Sequence, residues 1–211
     1  MSKIQEIASA VAGGKAKIVG GLIEEALAEG IAAAEILNEG LIAAMGTVGD
    51  QFKAGQIYVP EMLVAAKAMK KGVETLKPHL AGGATATLGK FIIGTVEGDL
   101  HDIGKNLVGM MLEGSGFEIV DLGVDVPPAK FVDAIKANPD CRLVGLTALL
   151  TTTMPALKDS VAAITAAGLK KQVKIIVGGA PITQDFADKI GADGYAEDAA
   201  SAASISKELI A

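Results

Sequence analysis

Four short runs rich in β-branched and aliphatic residues, KFIIGTV, FEIVDLG, RLVGLTA and VKIIVGG, constrain this chain more than any other feature. Each is too short for a core helix and reads as a buried strand. A weaker fifth run lies near GYA. Amphipathic helical patterns separate them at 104–112, 129–137, 154–167 and 185–190. Apolar strands joined by crossover helices require a parallel sheet covered on both faces. Right-handed crossovers then make a doubly wound, flavodoxin-like α/β domain with five parallel strands the natural fit, with its ligand site at the carboxyl ends of the strands.

Residues 1 to about 80 have a different texture. Ala, Leu, Ile, Met, Glu and Lys dominate, and apolar residues recur three and four apart, as Val19, Leu22, Ile23 and Ala26 do. Breaks at Gly13-Gly14, Gly30, Gly55 and Pro60 divide this part into four helices, and such short connections favour antiparallel neighbours in a bundle. Small, flexible residues over 80–90 mark the linker. The expected organisation is a helical domain over 1–85 and a sheet domain over 90–211.

Composition narrows the function. Half of the 211 residues are hydrophobic, enough for a sizeable core. The single cysteine, Cys141, excludes an intramolecular disulfide and any paired-cysteine metal site, which fits a reducing, cytoplasmic setting. The N-terminal stretch lacks the basic and apolar regions of a signal peptide, and the apolar runs fall short of a membrane span. A net charge of −6, interspersed signs and 3% aromatic residues argue against a nucleic-acid surface.

The chain has two histidines. His79, in the Lys-Pro-His-Leu stretch that ends the helical part, reads as a surface or linker residue. A histidine in a polar loop is ordinarily just solvated, but His101 follows the first strand and precedes a helix opening at Ile103-Gly104. Asp99, two residues earlier, is placed to accept one imidazole N–H, fixing the tautomer and raising the basicity of the other nitrogen. Gly98 and Gly104 leave backbone room for a bulky planar group.

Asp99-Leu100-His101-Asp102-Ile103-Gly104 resembles the Asp-x-His-x-x-Gly signature of cobalamin-binding proteins that coordinate cobalt through histidine, such as methionine synthase and the corrinoid proteins of methyltransferase systems. Thr147-Ala148-Leu149 is similar to the Ser-x-Leu element of that family, and Gly178-Gly179 to its paired glycines. All three stand in order at the ends of expected strands. The resemblance implies that His101 is the lower axial ligand of cobalt and that the cofactor's nucleotide tail threads into the sheet. Thr147, Leu149, Gly178 and Gly179 would line that slot, with Ala199 as a backbone contact at its far end. A larger side chain at either glycine would block the tail and leave the sheet folded. Gly98, Asp102, Ile103 and Gly104 would border the cofactor, Thr151 would touch corrin side chains, and Thr153 would complete a relay with Asp99 and His101. Thr replaces Ser at 147 and at 153, keeping a hydroxyl at both.

VGDQFKAGQIYVPEMLVAAKAMKKG resembles the helical cap of cobalamin-dependent methionine synthase and of small corrinoid proteins. Phe52 and Val59 occupy the positions that cover the methyl group there, and Glu39 matches an acidic cap residue weakly. The resemblance implies a methyl carrier that holds cobalamin as methylcobalamin. It also implies a donor-specific methyltransferase, an acceptor methyltransferase acting on tetrahydrofolate or a thiol coenzyme, and a reductive activation protein. The donor, whether methanol, a methylamine, a quaternary amine or an aryl methyl ether, is not encoded here. Two other cobalamin roles compete. A mutase subunit would call for a radical-bearing barrel instead of a cap, and a sensor would call for a DNA-binding segment. An interaction module of the same fold, whose match is vestigial, is the plain alternative.

Overall fold

A computed structural model describes residues 2–80 and 87–210. Most of the linker assigned to 80–90 therefore lies outside the described residues. The chain divides into two compact units. One is built from the residues up to Leu88 with Glu113–Gly116, the other from Gly89–Leu112 and the residues from Phe117 onward.

The first unit is helical. Helix α1 (Lys3–Ala12) starts at Ser2, whose hydroxyl accepts from the Gln5 amide while Gln5 Oε1 accepts from the Ser2 amide. Helix α2 (Ala16–Ala28) buries Val19, Ile23 and Ala26, with Leu22 half-buried beside them. The third helix is continuous but not uniform. A short α3 (Ala33–Glu35) runs into a π-helical segment, Ile36–Ile42, and then into α4 (Ala43–Lys53). The wider turn gathers Ile36, Leu37, Gly40 and Leu41 on the buried side. Gly40 packs closely there: a Cβ on it would stand 3.2 Å from Ile7 Cγ2. Helix α5 (Val59–Leu76) has Pro60 in its first turn, and Glu61 Oε2 accepts the Tyr58 amide at 3.1 Å. Ile7, Ile23, Leu41, Met45, Met62 and Met69 fill the core. The four expected helices are present; the π segment has no signature in the apolar periodicity.

The second unit is a parallel five-stranded sheet in the order β2-β1-β3-β4-β5. In chain order its elements are β1 (Gly89–Thr95), α6 (Ile103–Gly114), β2 (Phe117–Asp121), α7 (Pro128–Ala137) and β3 (Cys141–Thr147). Then come α8 (Met154–Ala166), β4 (Lys174–Gly178), α9 (Gln184–Ile190), β5 (Gly194–Ala196) and α10 (Ala199–Ile210). Residues Phe91–Thr95 are all buried, as expected for an inner strand with both faces covered. The strand order reverses direction between β1 and β3, which opens a crevice at their carboxyl ends. Among the described residues no helix is long and apolar enough to cross a membrane.

The end of β4 corrects one expectation. Gly179 has φ +123, and a Cβ on it would fall 1.9 Å from the Ala148 carbonyl oxygen. A Cβ on Gly178 would stand 2.8 Å from the Ala196 carbonyl oxygen. Both obstructions are backbone, so a leucine at either position would disturb the strand ends before it met a ligand. Gly179→Ala alone should lower stability by about 2 kcal/mol or more. Chemical denaturation would show this as a reduced midpoint with the slope unchanged.

Candidate functional site

The crevice between β1 and β3 is organised by one carboxylate. Asp99 sits in the loop after β1 and is fully buried. A buried charge is tolerated only when its oxygens are supplied with donors. Asp99 Oδ1 accepts from the His101 amide at 3.1 Å and pairs with His101 Nδ1 at 2.7 Å. Its Oδ2 accepts from the Leu149 amide at 2.7 Å, the Thr153 hydroxyl at 2.8 Å and, at greater length, the Leu150 amide at 3.4 Å. Burial alone pushes this carboxyl up. The Leu149 amide, the His101 ring and amide and the Thr153 hydroxyl outweigh it and hold Asp99 well below the usual carboxylate range.

A carboxylate can only accept, so the hydrogen of the neutral imidazole lies on Nδ1 and the lone pair on Nε2. The His101 side chain is half-exposed. Around it lie apolar side chains left open to solvent: Leu100 is 72% exposed and Ile103 77%, with Leu149 and Leu150 also exposed. A Cβ on Gly104 would point into open space, so nothing within the chain demands glycine there. Among the described residues no group of three or more His, Cys, Asp or Glu side chains could hold a metal ion. A lone oriented imidazole inside an apolar rim suits a metal that arrives already chelated in a flat, largely apolar macrocycle. The residues present therefore fit a corrinoid.

The loop is pinned further by residues that the sequence reading did not single out. The Asp125 carboxylate accepts the Gly98 amide at 2.7 Å, and the Asp125 amide donates to the Asp99 carbonyl at 3.0 Å. Asp125 has φ +53 and Gly98 φ +80. Aspartate is among the few residues that tolerate the left-handed region. At the end of β1 the buried Thr95 hydroxyl donates to the His101 carbonyl at 2.9 Å and lies 3.1 Å from the Thr147 hydroxyl. Lys105, almost fully buried in the first turn of α6, pairs with Asp121 Oδ2 at the end of β2 and with Asn106 Oδ1. Nothing in the strand pattern distinguishes Thr95 from its apolar neighbours. Asp125 carried one faint signal, an Asp shortly after Gly in a turn.

Other expected residues fall into groups. Asp99, His101, Leu149 and Thr153 come together, with Thr147 one hydroxyl away through Thr95. Asp102 engages Asn106 of α6 through its carboxylate at 3.1 Å. Thr151 is exposed in the turn before α8, and Gly178 and Gly179 end β4 next to Thr147 and Ala148. Ala199 is the first residue of α10, where Asp198 accepts the Ser201 amide. Phe52, near the end of α4, and Val59, opening α5, are half-buried in the helical unit.

Because the folded chain holds Asp99 below its ordinary value, ionised Asp99 contributes stability that is complete above about pH 4 and is lost as acid protonates the folded form. Asp99→Asn, which turns an N–H₂ toward donors, should cost about 2–3 kcal/mol at neutral pH. It should also flatten the dependence of stability on pH on the acid side. Urea titrations of both proteins at neutral and acid pH would check both effects.

The comparisons with known proteins agree with this chemistry. Residues 89–204 match the model of a B12 binding domain, and residues 3–77 match a second model also described as a B12 binding domain. The chain is 45% identical over 99% of its length to dimethylamine corrinoid protein 1 of Methanosarcina acetivorans, which it covers to 97%. It is 48% identical over 88% of its length to trimethylamine corrinoid protein 2 of the same organism, covering 86% of that protein. Among solved structures, a cobalamin-binding protein from Desulfitobacterium hafniense superimposes with a TM-score of 0.82 at 30% identity over both whole chains. The methanol:cobalamin methyltransferase complex from Methanosarcina barkeri gives a TM-score of 0.84 at 32% identity, over 99% of this chain and 79% of that one. With both B12 binding domains matched and full-length likeness to corrinoid proteins, the chain belongs to the cobalamin-binding corrinoid proteins of methyltransferase systems.

Proposed function

We propose that this protein carries a methyl group on cobalt from a methylamine-specific methyltransferase to an acceptor methyltransferase that uses tetrahydrofolate or a thiol coenzyme. The observation that carries this reading is the Asp99–His101–Thr153 arrangement, with Nδ1 held by a buried carboxylate and Nε2 left to coordinate. Relatives named dimethylamine and trimethylamine corrinoid proteins, matched over nearly their whole length, support a methylamine as donor. The complex of known structure formed with a methanol:cobalamin methyltransferase supports direct docking of a methyltransferase on the carrier. A mutase subunit or a sensor has no comparable support.

Bound in the sheet unit, cobalamin would supply a cobalt centre able to accept and release a methyl group, with methylcobalamin as the charged form. The chain's own residues do the rest. Asp99 keeps the His101 ring in one tautomer and orientation, and Thr153 fixes the carboxylate oxygen opposite. The ionised Asp99 beside Nδ1 would stabilise positive charge on the ring. Gly98, Asp102, Ile103, Gly104 and Thr151 would border the corrin. Thr147, Leu149, Gly178, Gly179 and Ala199 would line the slot for its nucleotide tail. We assign the helical unit, through Phe52 and Val59, the shielding of the methyl group, and a reductive activation protein the repair of oxidised cobalt. The setting is cytoplasmic.

Reconstitution with methylcobalamin tests the axial ligand. The wild-type protein should give the absorption spectrum of histidine-coordinated cobalt. His101→Ala should lose it and bind more weakly by about tenfold or more, the range expected when a ligand or its support is removed. His79→Ala should match the wild type. A histidine-coordinated spectrum surviving in His101→Ala would overturn the assignment.

A further inference from the structure

The hydroxyls of Thr95 and Thr147 carry a directional constraint that involves the axial histidine. Thr95 is the last residue of β1, is 1% exposed and stands in register with Thr147, the last residue of β3. A hydroxyl has one proton to give. The His101 carbonyl, 2.9 Å from Thr95 Oγ1, can only accept, so the Thr95 proton is committed to it. The 3.1 Å contact between the two hydroxyls must then be made by the Thr147 proton. Thr147 in turn stands in register with Gly178 on β4, and with its proton engaged by Thr95 its hydroxyl has only lone pairs left to offer.

That order reverses only at a cost to the His101 segment. A group that accepts a hydrogen bond and settles beside Thr147 draws the Thr147 proton outward. The two threonine oxygens then face each other 3.1 Å apart with no proton between them, unless Thr95 turns its own proton to Thr147 and releases the His101 carbonyl. Thr95 is buried, so leaving unmade either its contact with Thr147 or its bond to the His101 carbonyl carries a cost, and the two choices are coupled. We propose that Thr95 and Thr147 form a two-hydroxyl relay through which an accepting base at the ends of β3 and β4 loosens the hold on His101. Thr95 is thus a positioning residue that links tail insertion to axial ligation. This rests on the cobalamin reading above, in which the nucleotide base, with its acceptor ring nitrogen, occupies that position. The functional consequence is that an inserted tail makes His101 easier to detach from cobalt, a change that a methyl carrier needs once in every cycle.

The test compares Co(II) cobalamin with Co(II) cobinamide, which lacks the nucleotide tail, each bound at saturation to the full-length protein. Nitrogen splitting in the electron paramagnetic resonance spectrum gives the ratio of histidine-coordinated to histidine-free cobalt, measured at several temperatures. In the wild type that ratio should be about fivefold higher with cobinamide, the size of one net hydrogen bond. Thr95→Ser should keep the difference, and Thr95→Val and Thr147→Val should each abolish it. Thr147→Val offers a route that leaves the Thr95 bond to His101 intact, should Thr95→Val fold poorly. In the protein without any corrinoid, Thr95→Val should speed amide hydrogen exchange around 100–103 while Thr147→Val should not. Equal ratios in the wild type, or a difference that persists in both valine variants, would overturn the relay while leaving His101 as the ligand. Absence of nitrogen splitting with both corrinoids would overturn the axial-histidine reading and the relay with it.

Discussion

A carboxylate with no exposure to solvent must be supplied with hydrogen-bond donors from several directions, and the sheet unit meets that demand at Asp99. One oxygen is fed from its own loop by the His101 amide and ring, the other by the Leu149 amide and the Thr153 hydroxyl beyond β3. The charge therefore ties two strand ends together and fixes a histidine tautomer in the same act. Remove the charge and these four donors lose their acceptor at once, which is why the site and the local fold cannot be separated.

The topology makes this arrangement possible. In the order β2-β1-β3-β4-β5, the neighbours β1 and β3 send their following loops to opposite sides, and the crevice between them receives side chains from both. Strands buried on both faces give a rigid floor, with Ile92, Val144, Leu146 and Ile175 fully enclosed. Loops then carry the chemistry on this buried scaffold. The positive-φ backbone at Gly98 and Asp125 belongs to the same logic: two residues that accept the left-handed region hold the loop in the turn from which Asp99 reaches inward.

Much of this was legible beforehand. The alternation of apolar runs and helical stretches specified the parallel sheet, and the glycines and Pro60 specified the helix breaks. Asp99, His101 and Thr153 were named from a short motif and a distant hydroxyl, and they meet within hydrogen-bond distance. Three things were hidden for physical reasons. Thr95 looks like any β-branched strand residue, and its role depends on a cross-strand partner fifty-two residues away. Asp125 acts through its backbone conformation as much as its charge, which a residue letter does not encode. The π segment at Ile36–Ile42 places Gly40 close to Ile7 while the apolar spacing stays helical, so the residue pattern does not reveal it. At the paired glycines, backbone carbonyls of Ala148 and Ala196 already occupy the space that side chains would need, a close approach that the residue letters do not encode.

Before any cofactor arrives, the folded chain presents His101 with its hydrogen on Nδ1 and a lone pair on Nε2. Nitrogen-15 NMR of the imidazole in corrinoid-free protein, under conditions where the ring is neutral, measures this directly. A pyrrole-type Nδ1 and a pyridine-type Nε2 are expected, with the Nδ1 hydrogen slow to exchange against Asp99. A dominant tautomer with its hydrogen on Nε2, or rapid averaging of the two nitrogens as in free histidine, would contradict it.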